Sequence, residues 1–161
     1  MSIVSAVGVP SPEYQAILLS QILTGFDSNN SETISSKSVV FPNNNNESNK
    51  YSFTYTGPLK NSCRNGPGRM FFSDGVKYVG NFTNNVICGK GTMRWPDGSI
   101  YEGEFNNGLR HGMGKFTAVN GAQYNGFWSE GQKHGKGTLR YNENAYYEGE
   151  FLNNKRNGKG T

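Results

Sequence analysis

The chain has few of the residues that build a thick hydrophobic core or a membrane span. Only 34% of its 161 residues are hydrophobic, and the longest apolar run near the N-terminus covers residues 16–19. Such a run is much too short for a signal peptide or a bilayer span. Aromatic residues, in contrast, reach 13%. This composition favours a thin sheet whose apolar side consists of rings.

Cysteine and the residue groups of catalysis are also scarce. Cys63 and Cys88 share no metal-ligand spacing, so we expect free thiols in a reducing compartment and a cytoplasmic protein. His111 and His134 occupy equivalent positions of two neighbouring β-hairpin repeats, and strand spacing would hold them about 10 Å apart, too far for easy shared metal coordination. The sequence has no Ser–His–acid arrangement with local support and no phosphate-binding loop. We therefore predict no metal site, no cofactor and no enzymatic activity.

The sequence does have a period of 23 residues, which begins at a tyrosine each time. Glycines recur two, eleven and thirteen residues after that tyrosine, and a large residue follows it by four. A fixed period of this length indicates a repeat architecture. The repeats start at residue 55 within a domain that spans 51–161. We divide them into 55–77, 78–100, 101–123, 124–146 and an incomplete 147–161.

The third repeat shows the local pattern best. Residues 101–105 alternate large or glycine with charged, which is typical of a strand with one covered face. Residues 106–108 are Asn-Asn-Gly, a turn sequence, and residues 112–118 return with the same alternation. We therefore predict an all-β fold: an elongated single-layer antiparallel β-meander of hairpin repeats. Glutamates of the first strands should face lysines and arginines of the second strands on the side away from the rings.

An aromatic row is the first candidate for binding. We predict that it lines a groove for a partner helix or peptide, because a contiguous apolar strip of this length exceeds what monomers usually expose. The alternative is that the rings pack on one another as the only core available. The predicted groove residues are Tyr78, Phe82, Trp95, Tyr101, Phe105, Tyr124, Trp128, Tyr141 and Tyr147.

A basic row is the second candidate. Arg64, Arg110, Lys133 and Arg156 each follow their tyrosine by nine residues. We expect them to form a rim along one long edge of the sheet, where they would attract acidic phospholipid or acidic proteins. Ile87 interrupts the row, so a solvated mixed-charge rim is the alternative. We expect no nucleic-acid partner.

The N-terminal third has a different composition. Ser11-Pro12-Glu13 is typical of a helix start, apolar residues follow at helical spacing, and Gly25 is a natural stop. We predict a short amphipathic helix over about residues 12–24 within a segment 1–26, which packs on the protein's own sheet or docks into a partner. Residues 27–50 are rich in Asn and Ser, and we interpret them as a disordered linker.

The repeat resembles the MORN (membrane occupation and recognition nexus) repeat in its Tyr-x-Gly and later Gly-x-Gly spacing. The letters at 101–105 (YEGEF), 110–114 (RHGMG) and 133–138 (KHGKGT) carry the resemblance. It implies a curved single-layer sheet whose aromatic groove holds a helix or peptide. It also implies a scaffold in a ciliary axonemal or other cytoskeletal complex, of the radial-spoke-like group, located in the cytoplasm, cytoskeleton or cilium.

Three other functions stay open at this point. A peripheral membrane protein would bind acidic phospholipids through the basic rim. A regulatory repeat segment would belong to a larger enzyme. A homodimer would form through the open C-terminal repeat, because an incomplete hairpin leaves an unpaired strand edge.

Overall fold

The structure is a computed structural model that describes residues 33–42 and 48–160. Thirteen strands make up this part of the chain: β1 (Thr33–Pro42), β2 (Ser48–Thr56), β3 (Leu59–Lys60), β4 (Cys63–Arg64), β5 (Gly66–Phe72), β6 (Lys77–Thr83), β7 (Val86–Arg94), β8 (Ile100–Asn106), β9 (Leu109–Thr117), β10 (Gln123–Ser129), β11 (Gln132–Arg140), β12 (Tyr146–Leu152) and β13 (Lys155–Gly160).

Eleven of these strands form one antiparallel sheet in the order β1-β2-β5-β6-β7-β8-β9-β10-β11-β12-β13. Each strand pairs with its neighbour in sequence, except that the small hairpin β3–β4 stands apart between β2 and β5. The sheet is not closed, and β1 and β13 lie at its two edges. The predicted all-β single-layer antiparallel meander is confirmed.

Two-residue turns close the hairpins of the repeats. In the third repeat Asn107 and Gly108 both have positive φ, at 49° and 77°. Two consecutive residues of this kind form the type I′ turn, whose twist matches that of paired strands. Asparagine and glycine tolerate this conformation well, whereas Glu130 adopts a φ of 48° without either advantage.

A β-bulge interrupts each hairpin of the repeats. In the third repeat Gly103 pairs with Gly114. The next residue of β8, Glu104, pairs with His111, so β9 contains two additional residues at this point. Gly112 lies in the bulge with a φ of 57°, a conformation that glycine adopts at no steric cost.

The bulge decides which residues share a side of the sheet. Because it shifts the alternation of β9, Arg110 pairs directly with Phe105 and lies on the same side as the ring of that residue. We call this side, which carries Tyr101 and its equivalents, the ring face. The other side, which carries Glu102 and Lys115, is the charged face.

The N-terminal predictions have two outcomes. The predicted helix at residues 12–24 lies outside the described residues. The linker prediction is corrected for part of 27–50, because Thr33–Pro42 and the start of β2 pair as antiparallel strands. The composition argument considered only burial of apolar area, whereas strand addition to an existing edge satisfies backbone donors and acceptors directly. The Val-Val-Phe letters at 39–41 also have high strand propensity.

Candidate functional site

The tyrosine that starts each repeat lies flat over a pair of glycines. Tyr101 donates a hydrogen bond from its hydroxyl to the Glu104 carbonyl oxygen at 2.9 Å. A methyl group on Gly103 would lie only 2.6 Å from the Tyr101 hydroxyl oxygen, so the ring occupies the space that a side chain would need. The same bond to the residue three positions later recurs at 2.9–3.2 Å at Tyr55, Tyr78, Tyr124 and Tyr147.

The rings form a continuous ladder along the ring face. Tyr101 contacts Phe105 of its own repeat and Trp128 of the next, with centroids 5.1 and 5.3 Å apart and planes near perpendicular. Edge-to-face pairs of this kind contribute about 0.5–1.5 kcal/mol each. The same alternation of first-strand ring and tyrosine continues through Tyr55, Phe82, Tyr78, Phe105, Tyr101, Trp128, Tyr124, Phe151 and Tyr147.

Most of the predicted groove residues are buried in this ladder. Trp95 and Tyr147 are half-buried, and Tyr141 is 45% exposed. The structure therefore assigns the inner rings to the packing core of the chain, which is the alternative that the sequence left open. The buried members, each no more than 4% exposed, are Tyr78, Phe82, Tyr101, Phe105, Tyr124 and Trp128.

The predicted basic rim is corrected. Arg64 and Arg110 are buried on the ring face, Lys133 is half-buried there, and Arg156 is exposed. Ile87 takes the equivalent position in the second repeat and is also buried. The rim prediction assumed simple pairing within each hairpin, and the bulge reverses the direction in which this position points.

Arg110 shows what the row does instead. Its guanidinium carbon lies 4.3 Å from the centroid of the Trp128 ring, and its Nη2 donates to the Gly131 carbonyl oxygen at 2.7 Å. Burial is the main cause that lowers the pKa of Arg110 to about 10, while the nearby Tyr101 acts in the opposite direction. A desolvated cation over an indole contributes on the order of 2 kcal/mol.

Arg64 makes the equivalent arrangement at the start of the repeats. Its guanidinium carbon lies 5.1 Å from the Phe53 ring centroid, and its Nη2 donates to the Asn85 carbonyl oxygen at 3.1 Å. Burial lowers the pKa of Arg64 to about 10, opposed mainly by Tyr55. The Arg64 and Arg110 charges are thus held among rings and carbonyl dipoles, away from bulk water.

The last two repeats leave the ring face accessible. The ammonium nitrogen of Lys133 lies 5.3 Å from the Tyr124 ring centroid, and the guanidinium carbon of Arg156 lies 5.4 Å from that of Tyr147. Burial lowers the pKa of Lys133, and Arg110 adds to this effect. We define the C-terminal ring face by its partly or fully exposed members, which are Lys133, Leu139, Tyr141, Tyr147 and Arg156.

The family profile of the MORN repeat matches residues 78–100, 101–123, 124–145 and 147–161, which together make up just over half of the chain. The chain belongs to the MORN repeat family. The four matched stretches start at Tyr78, Tyr101, Tyr124 and Tyr147, the tyrosines that lie flat over the glycine pairs. A search of curated proteins finds no match. MORN repeats are non-enzymatic modules for interaction with proteins or membranes.

The charged face of the MORN sheet carries the predicted cross-strand pairs of opposite charge. Glu102 pairs with Lys115, and Lys90 pairs with Glu104. Such surface pairs contribute a few tenths of a kcal/mol. Sequence analysis missed the exposed Met113, which the bulge directs to this face, where it pairs with Phe127. The Gly-x-Gly letters at 112–114 are the signal that could have indicated the bulge.

Two shallow grooves follow the glycine pairs on the charged face. One has a volume of about 600 Å³ and is lined by residues that include Lys136, Glu148 and Glu150. The other, of about 460 Å³, is lined by residues that include Val79 and Glu104. Their walls mix both charges and a few apolar atoms, so no single ligand chemistry is favoured there.

The MORN repeats bring no catalytic or metal-binding group together. Within residues 53–160, no cluster of three or more His, Cys, Asp and Glu side chains is placed to hold a metal ion. His111 Nδ1 lies 4.0 Å from Glu130 Oε1, a surface contact. The described strands include no helix long and apolar enough to cross a bilayer.

Proposed function

We propose that the protein is a non-catalytic scaffold that holds an acidic amphipathic helix or peptide on the C-terminal ring face. The observation that carries this proposal is the gradient of burial along one face. Arg64 and Arg110 are buried, whereas Tyr141 and Arg156, at equivalent sides of later repeats, are exposed. Aromatic and arginine side chains are the groups that most often anchor protein interfaces.

The chemistry of the C-terminal ring face defines the partner. Tyr141, Tyr147 and Leu139 offer apolar surface, and Lys133 and Arg156 offer positive charge at the same level of two successive repeats. Two strand spacings separate these cations by about 10 Å. Because a helix rises 1.5 Å per residue, about seven residues span that distance. A fitting helix would carry acids seven positions apart beside an apolar stripe.

The cellular setting of the proposal rests on family resemblance. We propose a ciliary axonemal or other cytoskeletal complex, with the protein in the role of a radial-spoke-like scaffold. Extended repeat sheets suit this role because they present several equivalent anchor points in a row. Neither the burial pattern nor the charges of the sheet depend on this placement.

Affinity capture from native lysate, followed by quantitative mass spectrometry, tests the proposal. The variant Tyr141→Ala/Arg156→Gln alters the C-terminal ring face without touching a fully buried side chain. The matched control Met113→Ala/Lys136→Gln alters the charged face to a similar extent. We expect proteins that contain an acidic amphipathic helix to be lost with the first variant and retained with the control.

Two results would contradict the proposal. Loss of the same proteins with the charged-face control would move the interaction surface to the other side of the sheet. Salt-sensitive binding of wild type to anionic vesicles, with no protein lost in either variant, would favour a peripheral membrane protein. Light scattering of the purified chain separately tests a homodimer.

A further inference from the structure

The first half of the ring face presents two buried cations in one row. Arg64 and Arg110 are 0% and 3% exposed, and Ile87 lies between them at the equivalent position of the second repeat. Two repeats contain four strand spacings, so the two guanidinium groups are about 19 Å apart along the sheet. A buried cation is stable only when its charge is compensated, most effectively by a carboxylate.

The same chain contains acids with a matching separation. Glu13 and Asp27 are the only charged residues among positions 1–30, and fourteen positions separate them. At 1.5 Å per residue, a helix covers about 21 Å over fourteen residues. Between them, Ile17, Leu18 and Ile22 fall at helical spacing and form one apolar stripe.

Chain connectivity fixes the direction in which this segment would run. Asp27 lies six residues before Thr33, where β1 begins at the edge of the sheet next to β2. Six residues reach at most about 20 Å. Arg64 lies over the Phe53 ring of β2, close to that edge, whereas Arg110 lies two repeats further into the sheet.

We propose that residues 12–27 of the same chain lie as an amphipathic helix along the first half of the ring face, with Asp27 against Arg64, Glu13 against Arg110 and the apolar stripe over Ile87. This inference goes beyond the proposed function because it concerns the other half of the ring face and needs no second protein. The intramolecular helix leaves the C-terminal ring face as the part that a partner can reach. Tethering gives such a segment an effective concentration in the millimolar range.

A double-mutant cycle in the full chain tests the pairing. Glu13→Gln and Arg110→Gln each remove one charge and keep a similar shape, and thermal unfolding gives the equilibrium constant for each variant. We expect the effects to be non-additive by about tenfold in that constant, as for groups in direct contact. The matched control combines Glu13→Gln with Lys136→Gln on the charged face, and there we expect simple additivity.

Hydrogen exchange provides a readout that does not depend on substitutions at Arg110. In wild type we expect slowed exchange for amides within 14–24, and faster exchange in Glu13→Lys while β6 to β11 stay unchanged. Additive effects in the cycle, or unprotected amides at 14–24 in wild type, would overturn the proposal. Protection that disappears on dilution, with doubled mass at high concentration, would also overturn it, because the helix would then come from a second copy.

Discussion

Gly114→Ala should be among the most damaging single substitutions in the sheet. A methyl group there would lie 2.5 Å from Tyr101 Cζ and 2.6 Å from Cε2, so the tyrosine ring must leave its place. The ring would lose its hydrogen bond to the Glu104 carbonyl, worth about 1 kcal/mol. It would also lose edge-to-face contacts with Phe105 and Trp128, worth about 0.5–1.5 kcal/mol each.

The total loss for Gly114→Ala is therefore about 3 kcal/mol, or roughly 10–20 °C in Tm for a domain of this size. Thermal unfolding followed by circular dichroism measures it. Gly121→Ala is the control, because nothing lies within 4 Å of its added methyl group and only its φ of 82° opposes the change. We expect the control to lose about 1 kcal/mol.

The double variant Gly114→Ala/Tyr101→Ala decides whether the clash is the cause. Removal of the ring also removes the clash, so the double variant should be about as stable as Tyr101→Ala alone. If the two losses simply add, or if Gly114→Ala is no worse than Gly121→Ala, the account of tyrosines held over glycine pairs is wrong.

Three further predictions concern the ring face and the turns. Glu130→Asn should raise stability by about 0.5–1 kcal/mol in thermal unfolding, because asparagine adopts the φ of 48° at lower cost; an unchanged Tm would contradict this. Trp128→Phe should lower the free energy of unfolding by about 1–3 kcal/mol in urea, because it leaves the Gly114 carbonyl without the indole donor at 3.0 Å; a loss below 0.5 kcal/mol on this roughly estimated scale would show that the bond matters little. Alkaline titration followed by phenolate absorbance should show Tyr124 ionising near its pKa of about 12, because burial raises that pKa above the unfolded value of 10.0. The stability that Tyr124 contributes is therefore complete below pH 10.0 and is lost as the pH rises through about 12, whereas the lowered pKa of Arg110 acts in the opposite sense, and a single titration of all tyrosines near pH 10.0 would contradict the burial.

The sequence predicted the sheet well because its signals are local. The 23-residue period, the Asn and Gly turn letters and the alternation of residues 101–105 each depend on a few neighbouring positions. These signals were sufficient for an antiparallel meander of hairpins. They also predicted that glycines make room for flat tyrosine rings, as Gly103 does for Tyr101.

The candidate site was predicted less well because burial and facing depend on register. A two-residue bulge at Gly112 places Arg110 over Trp128, and simple alternation cannot show this. The interleaving of rings from successive repeats is likewise a property of the assembled sheet. Periodicity identified the rows of residues, but only the paired strands show which members are buried and which, like Tyr141, are accessible.

Calorimetric titration of a captured partner into the purified full chain tests the central claim most directly. The account predicts that Tyr141→Ala/Arg156→Gln weakens binding by about thirtyfold, as for the loss of an interface anchor. It predicts no change for Met113→Ala/Lys136→Gln on the charged face. Equal affinity for wild type and the ring-face variant, or a loss confined to the charged-face variant, would contradict the claim that partners dock on the C-terminal ring face.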